Sequence, residues 1–247
     1  MLAEAIMGFV CFGLNIIFQQ TKPPTPPSSS ADVKREPFNI AMPAMLQNKN
    51  YILLLIAFGC YFGTFNGISI ILSYLLKPWF EDNLSMAVSV VGGSPVISGI
   101  IGVAILGPMQ RKSGTFKKWI LICMGGSSVA ILLFYPLMET DSLLLVSLIS
   151  AFNSFFLIPL VPIMLELACE LVFPVGEGSA AGMLFAMGNF AGFLFGAILS
   201  AIVQGNSKGE SAGGLGFCFG VFCLGIILTV VMQEEQNRRK SEELSAE

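Results

Sequence analysis

Apolar residues in this chain fall in long, nearly uninterrupted runs. A first run covers Ala5 to Phe18. A polar stretch follows, and then six further runs at about Ile52 to Leu76, Val88 to Met109, Trp119 to Met138, Leu143 to Leu165, Ser179 to Val203 and Leu215 to Met232. A helix needs about twenty residues to cross roughly 30 Å of hydrocarbon, so each of the six can span a bilayer and the first falls short. A secretory signal is the competing reading of the first run. It carries Glu4 where basic residues belong, and no convincing small-residue cleavage site follows. The pattern predicts an all-α membrane protein. Residues 1–18 are a truncated span, 19–49 a linker, 50–232 a six-helix bundle and 233–247 a tail.

The linker is rich in Pro and Ser and cannot bury enough apolar surface to fold alone, which makes it a flexible, water-exposed divider. Composition agrees with the runs: 54% of residues are hydrophobic and 12% charged, with a mean hydropathy of +0.77, as in an integral membrane protein. Charge then gives orientation. With the N-terminus outside, the linker, the loop at 110–118 and the tail share one side and hold Lys22, Lys34, Arg35, Lys49, Arg111, Lys112, Lys117, Lys118, Arg238, Arg239 and Lys240. Only Lys77 and Lys208 fall on the other side. Eleven against two predicts that the linker side is cytoplasmic. Trp79 and Trp119 sit at span ends, as interfacial tryptophans do.

Histidine is absent, which removes Ser-His-Asp catalysis, His-based zinc sites and a His ligand to haem. The six cysteines lie in or beside apolar runs without metal-type spacing and read as small hydrophobes. No cofactor is called for. The net charge of −3 and scattered basic residues give no nucleic-acid footprint.

Within the runs, Gly59, Gly63 and Gly67, and again Gly188, Gly192 and Gly196, recur four apart, which lets helix backbones approach closely. The largest polar side chains inside runs are Asn66, Asn153 and Asn189, with Ser69, Ser73, Ser154 and Ser200 beside them. An amide at mid-membrane needs a hydrogen-bond partner, either on another helix or in a polar cavity. Between the fourth and fifth of the six runs, Glu166 and Glu170 precede a Phe173-Pro174 break and Glu177 follows it. Carboxylates so near lipid are confined to helix ends or protein-lined cavities.

A linker followed by six spans resembles the second half of a major facilitator superfamily transporter, with the short first run similar to the tail of that fold's sixth helix and the six runs to helices seven to twelve. The loop Gly107-Pro-Met-Gln-Arg111-Lys112-Ser-Gly114 resembles the superfamily's G-x-x-x-D-R/K-x-G motif, with Arg111 where Asp is usual. The stretch Glu166-x-x-x-Glu170-x-x-Phe173-Pro174-x-x-Glu177-Gly178-Ser179-x-x-Gly182 is similar to the signature of the feline leukaemia virus subgroup C receptor-related transporters, solute carrier family 49. Thr115-Phe116-Lys117 and the stretch around Tyr51 to Ser69 are also similar to that family.

The resemblance implies facilitated, alternating-access transport of a small organic solute, a choline- or ethanolamine-like cation or a haem-related molecule. It implies a site near the midplane between two bundles, one of them a missing N-terminal half, with the lipid bilayer and a small-molecule substrate as the other partners. Asn66, Asn189, Phe65 and Phe62 are the candidate substrate-binding residues. Asn66 stands where the family carries an aromatic, and Asn189 where choline-handling members carry Gln. Glu170 and Glu177 with Arg111 and Lys112 are the candidate gating residues. The competing readings are a non-transporting heptahelical receptor and an inactive half-transporter fragment. An intramembrane enzyme has neither a paired midplane Asp nor an activated nucleophile to support it.

Overall fold

The structure, a computed structural model, describes residues 2–18, 38–234 and Asn237. Most of the Pro/Ser-rich linker and most of the tail lie outside the described residues. The chain divides into two units, Met1–Lys34 and Arg35–Glu247. The first contains α1, Leu2–Phe18, a 17-residue apolar helix. At 1.5 Å per residue it is about 25 Å long, short of a full crossing.

The second unit opens with a short helix, α2 (Phe38–Gln47). Part of the stretch read as linker is therefore helical. Its sequence FNIAMPAMLQ carries no charge, and Ala41 and Met45 are buried where α2 packs on α3 and α7. Six long helices follow: α3 (Lys49–Phe80), α4 (Leu84–Ser113), α5 (Phe116–Met138), α6 (Leu143–Leu171), α7 (Glu177–Ile202) and α8 (Lys208–Val231). Each contains or nearly contains one of the six apolar runs. By length and apolarity the stretch Lys49–Ser113 counts as one segment of 65 residues, which as a single helix would reach roughly 97 Å. It is two helices, because Phe80 and Asn83 leave helical geometry around a 3-10 turn at Glu81–Asn83 and α4 packs back on α3. The described residues thus hold six long apolar helices of an all-α, multi-pass membrane protein.

Hydrogen bonds fix which ends lie together. At one end, Asn48 caps α3 through Oδ1 and donates from Nδ2 to Leu171 O at the end of α6. There, too, Tyr51 Oη donates to Ala180 O in the first turn of α7, and Lys117 at the start of α5 donates to carbonyls at the end of α8. At the other end, Ser211 of α8 donates to Leu75 O of α3, and Lys208 pairs with Glu139 after α5 at 3.5 Å. The first end carries Lys49, Arg111, Lys112, Lys117 and Lys118 and is called the basic end below.

The helices pack through small residues on two seams. On the first, Gly59, Gly63 and Gly67 of α3 face Met187, Ala191, Gly192 and Leu199 of α7, while Gly188, Gly192 and Gly196 of α7 face Phe62, Asn66 and Ile70 of α3. At Gly63 a Cβ would stand 2.9 Å from Ala191 C and 3.0 Å from Gly192 N, so the two backbones touch and nothing flexible can yield. On the second seam, between α4 and α6, Ser94 donates to Ser147 O, Ser98 to Ala151 O and Ser150 to Val91 O. One turn beyond Ser98, Gly102 lies directly against the Phe155 carbonyl. In lipid, where apolar surface gains nothing by leaving its solvent, close packing and interhelical hydrogen bonds of this kind hold helices together.

Gly63→Leu is expected to destabilise the bundle by about 1 to 3 kcal/mol through overpacking. Gly125→Leu, where an added Cβ meets nothing within 4 Å, should change little. Thermal unfolding of both variants in detergent checks this, and equal midpoints would contradict the α3–α7 contact.

Candidate functional site

The α4–α6 seam opens into a cavity near the middle of the helices. It is lined by Thr64, Phe65, Ile68, Ser69 and Leu72 of α3, Val91 and Pro95 of α4, Ile131 of α5, Ser150, Asn153, Ser154 and Leu157 of α6, and Phe222 of α8. The space is about 480 Å³ counting its open side, and no lining residue is charged.

Most polar groups around it are satisfied within the protein. Thr64 Oγ1 donates to Cys60 O at 2.6 Å, Ser69 Oγ to Phe65 O at 2.8 Å, and Ser150 Oγ to Val91 O at 2.9 Å. Asn153 is different. Its backbone carbonyl accepts from Ser127 Oγ, but its side-chain Oδ1 is buried with no hydrogen-bond partner. A buried amide oxygen left unpaired costs about 1 to 3 kcal/mol, and such an atom calls for a specific reason. Here the reason available is the cavity that the same residue lines.

Of the four candidate substrate residues, Phe65 alone lines this cavity. Phe62 is part of an aromatic cluster, stacked on Phe58 at 5.3 Å and edge-on to Phe185 at 5.6 Å, with Phe65 tilted at 6.4 Å. Asn66 lies against Gly192 in the α3–α7 contact. Asn189 is exposed on α7, and its Nδ2 donates back to Phe185 O one turn earlier at 2.8 Å. The residue that sequence reasoning left unchosen is Asn153. It stood among the three mid-run asparagines, and the serines on either side of it, Ser150 and Ser154, were the available signal.

The four candidate gating residues all come to the basic end. Arg111 and Lys112 occupy the last turn of α4, Glu170 the last turn of α6, and Glu177 the first turn of α7, where a carboxylate complements the helix dipole. The chain turns sharply after Arg111 and Lys112: Gly114 has φ 65° and donates to Gln110 O, ending α4 in a left-handed cap that suits only glycine comfortably. Between Glu170 and Glu177 the Phe173-Pro174 peptide is cis.

Lys117 and Glu234 form a reciprocal pair of caps at the same end. Glu234 accepts from Phe116 N at 2.8 Å and Lys117 N at 3.1 Å, closing the start of α5. Lys117 Nζ donates to Val230 O at 2.6 Å and Met232 O at 2.8 Å, closing the end of α8. Gln233 N donates to Asn50 Oδ1, and Asn237 Nδ2 to Leu171 O. The segment after α8 thus ties together the basic ends of α3, α5, α6 and α8.

Six apolar helices stitched by small residues around a buried amide define a multi-pass, all-α membrane protein with a cavity between its helices. No family model matches the chain. Its curated homologues are transporters of solute carrier family 49 and the major facilitator type. Solute carrier family 49 member A3 of Xenopus tropicalis is 30% identical over 175 residues, covering 70% of this chain and 36% of that protein. The choline/ethanolamine transporter flvcr2a of Danio rerio is 29% identical over 247 residues, 96% of this chain and 51% of that protein. An MFS-type transporter of Caenorhabditis elegans is 26% identical over 246 residues, 97% of this chain and 41% of that protein. The chain therefore spans about half or less of the length of the curated relatives it matches.

Proposed function

We propose that the chain forms one wall of an alternating-access facilitator for a small alkylammonium solute, with a second helix bundle supplying the other wall. The basic end faces the cytoplasm in this reading, as the distribution of Lys and Arg favours. The observation that carries the proposal is the buried, unpaired Oδ1 of Asn153, a residue that lines the cavity near the middle of the helices. An ethanolamine- or choline-like solute has a hydroxyl that can donate to that oxygen. Its cationic head has Phe65 and Phe222 in the same lining, and a desolvated cation over an aromatic face gains about 2 kcal/mol. One of the quoted relatives is named as a choline/ethanolamine transporter, which fits this chemistry. Haem, flat and anionic, finds no cation in the lining and no histidine in the chain. The receptor alternative draws no support from relatives that are named as transporters.

Asn66, Asn189 and Phe62 keep a place in this reading as residues near the α3–α7 face, where the second bundle would close over the cavity. They are secondary to Asn153 and Phe65. In the complete transporter, Asn153→Leu is expected to lower uptake of labelled choline or ethanolamine at least tenfold, equivalent to about 1.4 kcal/mol. Phe65→Ala should lower it severalfold, and Asn189→Ala less. Uptake that survives Asn153→Leu intact would remove the basis of the assignment.

The same reading makes Glu170, Glu177, Arg111 and Lys112 the inward gate, through ion pairs formed in one access state. Each such rim pair contributes about 0 to 1 kcal/mol, enough to bias two states of similar energy. Reversing the charge of Glu170 or of Lys112 should each shift accessibility at the basic end, and reversing both should partly restore it. Strictly additive shifts would leave the four residues as a solvated rim.

A further inference from the structure

A second cavity lies on the α4–α6 seam nearer the basic end. It is lined by Val103, Ala104, Gly107, Pro108, Gln110 and Arg111 of α4 and by Pro162, Ile163 and Glu166 of α6. The space is about 580 Å³ counting its open side. It is separate from the Asn153 cavity, because Gly99 against Ile158 and Gly102 against Phe155 close the seam between them.

Three features make this more than a gap between helices. First, Arg111 and Glu166 bring opposite charges to one space from two facing helices, yet no ion pair joins them. Second, the lining is graded: Val103, Ala104 and Ile163 lie deeper in the apolar part of the helices, while Arg111 and Glu166 stand toward their ends. Gln110 adds an amide in a side chain only 2% exposed. Third, the wall is backbone. A Cβ on Gly107 would meet nothing within 4 Å, and Pro108 has no N–H to give to the Ala104 carbonyl four residues back.

A space with a guanidinium contributed by α4 and a carboxylate contributed by α6 is matched by a ligand carrying both charges. We propose that this cavity binds a phospho-alkylammonium zwitterion, with its phosphate at Arg111 and its ammonium at Glu166. Arginine's planar fork suits a phosphate, and charge-assisted hydrogen bonds of this type are about twice as strong as neutral ones. A free solute and the headgroup of a phospholipid share this chemistry, and the site's position at the ends of apolar helices admits both.

The test uses the purified full chain and measures its unfolding midpoint, since a ligand that binds only the folded state raises it by mass action. One arm titrates glycerophosphoethanolamine in detergent. The other compares nanodiscs of phosphatidylglycerol with and without phosphatidylethanolamine. A saturable rise in the first arm identifies a free zwitterion as a ligand, and a rise confined to the second identifies the lipid headgroup; either supports the site. In the responding arm, Arg111→Gln and Glu166→Gln should each weaken the apparent affinity at least tenfold, and Gly107→Phe should abolish the response by filling the cavity. Arg111 and Glu166 are exposed, so their neutral variants are expected to fold, and each variant's midpoint without ligand verifies it. No response in either arm, or a response unchanged in all three variants, would overturn the proposal.

Discussion

The constraint on which this structure depends is the absence of water along the middle of its helices. A polar group there has no solvent to fall back on, and each one left unpaired costs on the order of kilocalories. The consequences run through the whole bundle. Thr64, Ser128 and Thr229 turn their hydroxyls back onto carbonyls four residues earlier in their own helices. Ser94, Ser98 and Ser150 reach across to a neighbouring helix instead. Tyr51 and Tyr61, both buried, donate to Ala180 O and Leu157 O. Against this background Asn153 Oδ1, in a residue that lines a cavity, and Trp79 Nε1 are the two buried side-chain atoms without a hydrogen-bond partner among the described residues.

The same constraint explains why small residues recur where helices meet. Since apolar side chains are as well solvated by lipid as by one another, association needs backbones close enough for dense packing and for hydroxyls to reach carbonyls across the gap. Gly63 supplies that approach between α3 and α7, and Gly102 supplies it between α4 and α6. Around Pro95 and Asn153 on one side, and around Gly107 and Pro108 on the other, the α4–α6 seam opens into its two cavities. The closures at Gly99 and Gly102 keep those cavities apart.

Much of the architecture could be read from residues alone, because a twenty-residue apolar run has few alternatives in a chain of this composition. Helix ends were harder to place. Lys77 and Pro78 do not stop α3, which continues to Phe80, and Lys208 and Glu210 already belong to α8. The six glycines on α3 and α7 were recognisable as close-packing faces, but that they face one another is a fact of tertiary structure. Ser94 and Ser98 continue the small-residue stripe of Gly102, and a search for glycine spacing passes over them. The site was the least accessible part. Asn66, Asn153 and Asn189 are equivalent in a one-dimensional reading, each with a phenylalanine beside it, and the family resemblance drew attention to Asn66 and Asn189. Which asparagine faces a cavity depends on what the neighbouring helices place opposite it. Packing puts Asn66 against Gly192 and lets Asn189 satisfy itself on Phe185 O.

The central claim is that Asn153 faces a solute-accessible space rather than a sealed helix contact. The most direct measurement places a cysteine there, Asn153→Cys, in a background with all native cysteines replaced, within the complete transporter. A small cationic thiol reagent, methanethiosulfonate ethylammonium, is then applied with and without excess choline. The account predicts that the new thiol is modified and that choline slows the reaction severalfold. A thiol that stays unreactive while the protein is folded and active, or one modified at the same rate with choline present, would contradict it.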